Sequence, residues 1–420
     1  MSSSHILIIG GGIGGLTVAQ GLRKKGIPFT LFERDASPAA RAQGYRLRIA
    51  GGGAEAIQEC IDEKLWALFE NTCAESKPMG SRFSALDLQP LEDPFPGAHP
   101  GVRPGQGPPE MKAGSSIGGM QAPEGGFKSY AVDRTILRSL LLLDQEENIQ
   151  FGKTFTHYEI TPGGVTAFFD DGTSKQGTFL IGADGMFSPV RKQLLPNLRY
   201  VDTGSRVIFG KTPLNPEILA RLAPGALSGM SVIREPNVLA LFLETIQFPN
   251  DAAVESAGKL SRTEDYIYWA LCGNATALGG SDSEFQSLSA EAATELTLKV
   301  SEHWHPSVRC LFELQDVAQT APLRLASAKP ERPEWNPSAR VTLIGDAIHG
   351  MMPLGGSGAN CALVDAALLV RLISEKGICE EMARSYIDEM WSYALPLIQR
   401  SGAGAQKILG FKGFENATEI

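Results

Sequence analysis

The stretch "HILIIGGGIGGLTVAQGL", residues 5–22, limits what this chain can become more than any other. Four apolar residues, Ile6 to Ile9, suit a buried strand; glycines then break it, and the next run has the apolar spacing of a helix. Gly10, Gly12 and Gly15 stand at the spacing G-x-G-x-x-G. After a strand and ahead of a helix, such glycines permit a tight turn, close approach of a pyrophosphate, and tight packing of helix on strand. The helix start adds unpaired N–H groups for the anion. A second apolar strand, "PFTLFE", ends on Glu33, whose carboxylate suits ribose hydroxyls. Ile13 and Gly14 inside the motif, and Arg34 after the acid, join the nucleotide-binding candidates. Strand, helix and strand in this order imply a parallel sheet with a right-handed crossover, hence an α/β fold.

At 420 residues the chain has room for two or three domains. Its 38 basic and 47 acidic side chains give a charge of −9, and no long basic stripe is present to neutralise phosphates, so nucleic acid is not an expected partner. The six cysteines are scattered without a CxxC pair, which reads as reduced thiols in a cytoplasmic protein. The first apolar run is broken by glycines and flows into the nucleotide motif, unlike a signal peptide. No run of about 18 uncharged apolar residues occurs, so no membrane span is expected.

Organisation follows from composition. Residues 1–80, 129–190 and 321–378 carry nucleotide-binding patterns and are assigned to one discontinuous domain. Residues 81–128 are rich in proline and glycine and read as an insertion, either a lid over an entrance or a disordered stretch. In "YAVDRTILRSLLLLDQ" the apolar spacing predicts a helix with Asp133 near its start. A β-meander follows, punctuated by "PGG" and "DDGT" turns. Residues 191–320 mix strands with one strong helix and form a sheet-based second domain; residues 379–420 are a C-terminal helical segment.

Two further blocks matter: "GADGMFSPVR", residues 182–191, and "GDAIHGMMPLGGSGANCALVDAALL", residues 345–369. With the first glycine motif they resemble, in order and spacing, the three signatures of the single-component FAD-dependent aromatic hydroxylases, the para-hydroxybenzoate hydroxylase-like (group A) flavoprotein monooxygenases. The resemblance implies a Rossmann-like FAD-binding domain of the GR2 type with an inserted substrate domain. It assigns Asp346 to the ribityl chain, and Pro353, Gly356 and Gly358 to the isoalloxazine ring, with Ala359 and Asn360 opening a helix whose N–H groups favour negative charge on reduced flavin. Asp184 and Arg191 match residues of the cofactor region and domain junction, and Arg134 a residue reaching the flavin phosphate and ribityl region. His349 invites a role as base or flavin attachment, but the family often has histidine there without either.

Arg46 and Arg48, two apart in an extended segment, point to one side. They either meet FAD phosphates or an arriving NADPH, or form a solvent-facing edge. Arg206 is the candidate partner for a phenolate or carboxylate of the substrate. Tyr266, Tyr268 and Trp269 are equally readable as core. His303 and His305 lack further ligands at suitable spacing, and no metal site is expected. The resemblance implies reduction of FAD by NAD(P)H, reaction with O2 to a flavin hydroperoxide, and oxygen insertion into a phenolic or other electron-rich, polyketide-like small molecule. The rivals are a flavin-dependent dehydrogenase or reductase of the same superfamily, and a non-enzymatic binding protein like the GDP dissociation inhibitors. Oligomeric state is not legible.

Overall fold

The computed structural model describes residues 4–38, 46–77, 79–91, 116–117, 120–121, 128–236, 238–278 and 282–420. Most of the expected lid at 81–128 therefore lies outside the described residues. The strands that position the site are β1 (Ile6–Ile9), β2 (Phe29–Glu33), β3 (Arg46–Ile49), β4 (Met79–Ser84), β5 (Tyr130–Asp133), β6 (Ile149–Phe151), β7 (Phe179–Gly182), β8 (Tyr200–Pro213), β9 (Met230–Glu235), β10 (Leu239–Ile246), β11 (Tyr266–Asn274), β12 (Ala321–Ala328) and β13 (Val341–Leu343). The helices are α1 (Ile13–Lys24), α2 (Arg134–Leu142), α3 (Asp346–His349), α4 (Ser357–Lys376) and α5 (Glu380–Leu409).

A parallel sheet in the order β13-β7-β1-β2-β6 forms the nucleotide-binding unit. Its strands are short and buried on both faces, as parallel sheets covered by helices require. The central strand β1 pairs with a strand about 170 residues away, Ile6 opposite Phe179, so this layer closes only when distant parts of the chain return. The helix read from "YAVDRTILRSLLLLDQ" is α2, and Asp133 caps it by accepting from the Thr135 and Ile136 amides.

The second sheet runs β12-β8-β11-β10-β9-β4, with Thr418–Glu419 also pairing β8. It is antiparallel except where β4 meets β9. It is not confined to residues 191–320, because β4 and β12 join it from the flanks and pair its otherwise open strands. Alternation sorts its faces: Ile208, Leu241, Leu271 and Trp269 pack into a core with Val308, Leu311 and Phe312 behind the sheet. The front face meets the nucleotide-binding unit.

Among the described helices, α4 is long and apolar enough to cross a membrane by length and composition, but 67% of its most apolar window is buried in the protein. It packs against α1, Gly52–Cys60 and α5, and its apolar surface is that of a core helix.

Candidate functional site

Four helices around one cleft begin on glycine with no capping side chain. They are α1 after Gly12, α3 after Gly345, α4 after Gly356, and the helix Gly52–Cys60 after Gly51. Helices starting at Glu63, Pro189, Pro216 and Ala290 are instead capped by Asp62, Ser188, Asn215 and Ser289. A helix start leaves N–H groups without partners, and an uncapped one offers them to an anion.

The first turn is built tightly. Gly10 has φ +109°, and a Cβ there would fall 2.4 Å from the Ala183 carbonyl oxygen; one at Gly15 would fall 2.1 Å from that of Gly10. A Cβ at Gly12 would meet nothing within 4 Å, which leaves its backbone approachable. Ile13 is buried and anchors the helix start, and Gly14 lets α1 approach Ala362 of α4. Glu33 accepts from the Gly11 amide at 2.7 Å and the Asp35 amide at 2.9 Å, holding its carboxylate beside the loop. Arg34 is exposed next to it. Arg138, one turn beyond Arg134, donates to the carbonyls of Gly11 (3.0 Å) and Pro38 (2.7 Å). Sequence reasoning missed Arg138, although its i,i+4 relation to Arg134 was available.

The second and third blocks meet across β7 and β13. Asp184 accepts from the Val190 amide through Oδ2 at 3.2 Å, while its buried Oδ1 has no hydrogen-bond partner among the described residues. Burial pushes the Asp184 pKa up, against the smaller pull of its hydrogen bonds and Arg191. Arg191 donates to the carbonyls of Met186 and Ala347 and stacks on Tyr200, 3.8 Å from the ring centre. Tyr200 donates to the Asp346 carbonyl at 3.0 Å and accepts from the Gly350 amide at 3.1 Å. Arg191 and Tyr200 thus brace α3 from below. Asp346 opens α3 at the bottom of the cleft: its side chain is exposed, yet the surrounding protein raises its pKa, partly offset by His349 and Arg134.

Pro353, Gly355 and Gly356 are exposed in the turn before α4, with φ +95° at Gly355 and +63° at Gly356. Gly358 faces Asp346, with Oδ1 3.9 Å from where its Cβ would stand. Ala359 is half-buried in the first turn. Asn360 donates to the carbonyls of Arg48 and Gly356 and accepts from the Ala50 amide, so it fastens α4 to the end of β3. Arg400 of α5 donates to Ser357 Oγ at 2.9 Å, a contact not evident from sequence.

Two expectations need correction. Arg46 and Arg48 do lie on one side of β3, but both guanidinium groups reach the buried carboxylate of Glu244 in the second sheet, Arg48 at 3.3 Å. A buried carboxylate demands opposite charge, so their role is spent between the two-stranded β3–β5 sheet and the second sheet rather than at phosphates. Arg206 is not on the front face. It shares the rear face with Ile208, is 1% exposed, and makes two 2.9 Å bonds to Asp202, which also pairs with Arg324. It lines a groove of about 740 Å³ between the sheet end and the end of α5, which Ala240, Cys272 and Leu409 also line.

The front face carries ordered rows. Val207, Cys272 and Ala240 lie across from one another, then Phe209, Ala270 and Phe242, then Lys211, Tyr268 and Glu244. The first two rows form an apolar wall, closed by Leu325 and Leu409. Beyond the third, Lys211 Nζ and Tyr266 Oη donate to Asp133 Oδ2 at 2.7 and 2.9 Å. Trp269 is buried on the rear side.

The uncapped helix starts, the open backbone at Gly12 and Gly356, and the orphaned Asp184 Oδ1 fit a dinucleotide with a long polyhydroxyl linker, as in FAD. Comparison with known proteins agrees. Residues 8–71 match the family described as NAD(P)-binding Rossmann-like domain, and residues 299–386 the FAD binding domain. The dual O-methyltransferase/FAD-dependent monooxygenase elcB of Phaeosphaeria nodorum is 37% identical over 98% of this chain, which spans 46% of that relative's length. The FAD-dependent monooxygenase thnD of Trichoderma harzianum is 28% identical over 88% of this chain and 82% of its own. Among solved structures, an FAD-containing monooxygenase from Photorhabdus luminescens superposes with a TM-score of 0.75 at 29% identity, covering 98% of this chain and all of that one. The motifs, the cradle and these likenesses together make the chain similar to FAD-dependent monooxygenases, with an FAD binding domain matched at residues 299–386.

Proposed function

We propose that the protein consumes NAD(P)H and O2 to insert one oxygen atom into a phenolic or other electron-rich, polyketide-like aromatic compound. The observation that carries this reading is the apolar wall of Phe209, Phe242, Ala270 and Cys272, on the sheet face turned to the nucleotide-binding unit. Such a wall suits a flat hydrophobic ring and excludes water from it. FAD, when bound, supplies the electron transfer and oxygen activation.

The chain's own residues hold and orient. Glu33 takes the ribose end, Asp184 and Asp346 take hydroxyls of the linker, and the α4 start favours negative charge at the ring. Arg134, at the start of α2, lies close enough to Asp346 to stabilise its ionised form. The fungal relative's name joins an O-methyltransferase to the monooxygenase. A hydroxyl introduced on an aromatic ring is a natural acceptor for such a methyl group, which favours ring hydroxylation.

The test is NADPH oxidation by the FAD-loaded protein across a panel of phenols, naphthols and anthraquinones, with heavy-oxygen-labelled O2. Label in the product supports the reading. Substrate-dependent NADPH oxidation that continues without O2 would instead indicate a dehydrogenase.

A further inference from the structure

Beneath the cleft lies a charged pair for which the reaction has no direct use. His349 closes the single turn that Asp346 opens, three residues on, and so lies on the same side of it. Its Nε2 is 2.6 Å from Asp365 Oδ2, and both side chains are fully buried. Asp365 Oδ2 also accepts the Gly345 amide at 2.7 Å, and Oδ1 accepts Tyr393 Oη at 2.7 Å. Cys361 Sγ lies 3.6 Å from the imidazole. Tyr386 donates to the Leu343 carbonyl, and Tyr200 and Arg191 approach from the other side.

We propose that His349 is a positioning residue: paired with Asp365 under the Gly345 turn, it is the buried cation that keeps the Asp346 carboxylate ionised and able to accept hydrogen bonds from FAD at neutral pH. This rests on reading Asp346 as an FAD-holding acid. The Gly345 amide and the Tyr393 hydroxyl both donate to Asp365, which favours a carboxylate there, and a dry carboxylate is best matched by a cation such as a protonated His349 at 2.6 Å. Burial alone lowers the His349 pKa, but Asp365 and Cys361 outweigh it and hold it well above the usual histidine range. For Asp346, exposed to the cleft, the surrounding protein acts in the raising direction, and His349 is the first of the charges that oppose it, ahead of Arg134, with Asp365 acting the other way. An uncharged residue at 349 leaves Asp365 as an uncompensated anion near Asp346, so Asp346 then takes up a proton more readily.

The experiment is the FAD dissociation constant, read from flavin fluorescence between about pH 6 and about pH 8, the range where histidine charge normally changes. Wild type is expected to be flat. His349→Gln is expected to weaken toward low pH, approaching about tenfold per pH unit, the limit for one linked proton. His349→Gln/Asp365→Asn, which removes the anion with the cation, is expected to recover most of the flat profile.

A pH-independent loss in His349→Gln would overturn the proposal in favour of a packing role, as would a double variant equally sensitive to pH. If the single variant does not fold, the wild type labelled isotopically at histidine decides by NMR: a neutral His349 ring near about pH 7 overturns the proposal, a cationic one supports it. His349, Cys361 and Asp365 offer ligand atoms within 4.8 Å of one another, so one equivalent of tightly held metal on elemental analysis would also overturn it. Should Asp346→Asn bind FAD like wild type, the assignment of Asp346 fails, while the NMR reading of the charge pair stands separately.

Discussion

Gly10 and Arg206 show two ways in which a single residue constrains this protein. Gly10 combines a left-handed backbone with a carbonyl 2.4 Å from where a Cβ would stand. Gly10→Ala is therefore expected to cost about 1–3 kcal/mol from backbone strain alone, and to lose FAD, as thermal unfolding with and without cofactor would report. Arg206 is a structural ion. Arg206→Met leaves Asp202 with only Arg324, and breaking such a buried pair costs about 3–5 kcal/mol. Turnover per folded, flavin-loaded molecule is expected to stay within about twofold, since no transition-state contact is lost; a selective drop in kcat would return Arg206 to the active site. Asp184 behaves oppositely. Its raised pKa means that its contribution to apoprotein stability is fully present below the ordinary carboxylate range and is lost as pH rises through the raised value. Asp184→Asn is accordingly expected to stabilise the apoprotein at neutral pH, with a benefit that fades on acidification, while FAD binding weakens. Unfolding curves at several pH values would check both signs.

At the scale of an element, the α4 start is the informative case. Gly356 adopts a left-handed conformation in open space, so Gly356→Ala has a strain cost of about 1–2 kcal/mol and no clash within the protein. A larger loss of FAD affinity than of apoprotein stability is expected if, as proposed, the cofactor occupies the open space into which the added methyl projects; equal losses would place the cofactor elsewhere. Glycine starts of this kind were legible in the sequence because turn, acid and helix lie within a few residues. The same locality made α2 and its Asp133 cap readable. The partners of Arg46 and Arg48 were not, because Glu244 is about 200 residues away and faces them only through a strand register that composition does not encode. Arg206 failed for a related reason: β8 pairs irregularly with β12 between Asp202 and Arg206, and which face a strand residue takes depends on such register.

For the whole molecule, two buried charge clusters join the second sheet to the separate two-stranded sheet of β3 and β5: Arg46 and Arg48 on Glu244, and Lys211 with Tyr266 on Asp133. Glu244→Ala strands two guanidinium groups at this junction. A loss of about 3–5 kcal/mol is expected, with unfolding splitting into two calorimetric transitions as the sheets uncouple. A single, unshifted transition would show that the junction does not hold the molecule together. That the N-terminal and C-terminal thirds form one nucleotide-binding layer was readable from matching glycine motifs. The joining of β4 and β12 to the second sheet was not, since neither strand carries a pattern that names its neighbour.

Asn360 ties the end of β3 to the start of α4 across 310 residues, and β13 reaches the β1 layer only after residue 340. On a ribosome, the first glycine loop therefore waits for about 350 further residues, on the order of tens of seconds, before its other walls exist. Flavin capture is thus a late event in the life of the chain. Nascent chains arrested before α4 emerges should elute colourless, and those released after it should carry flavin.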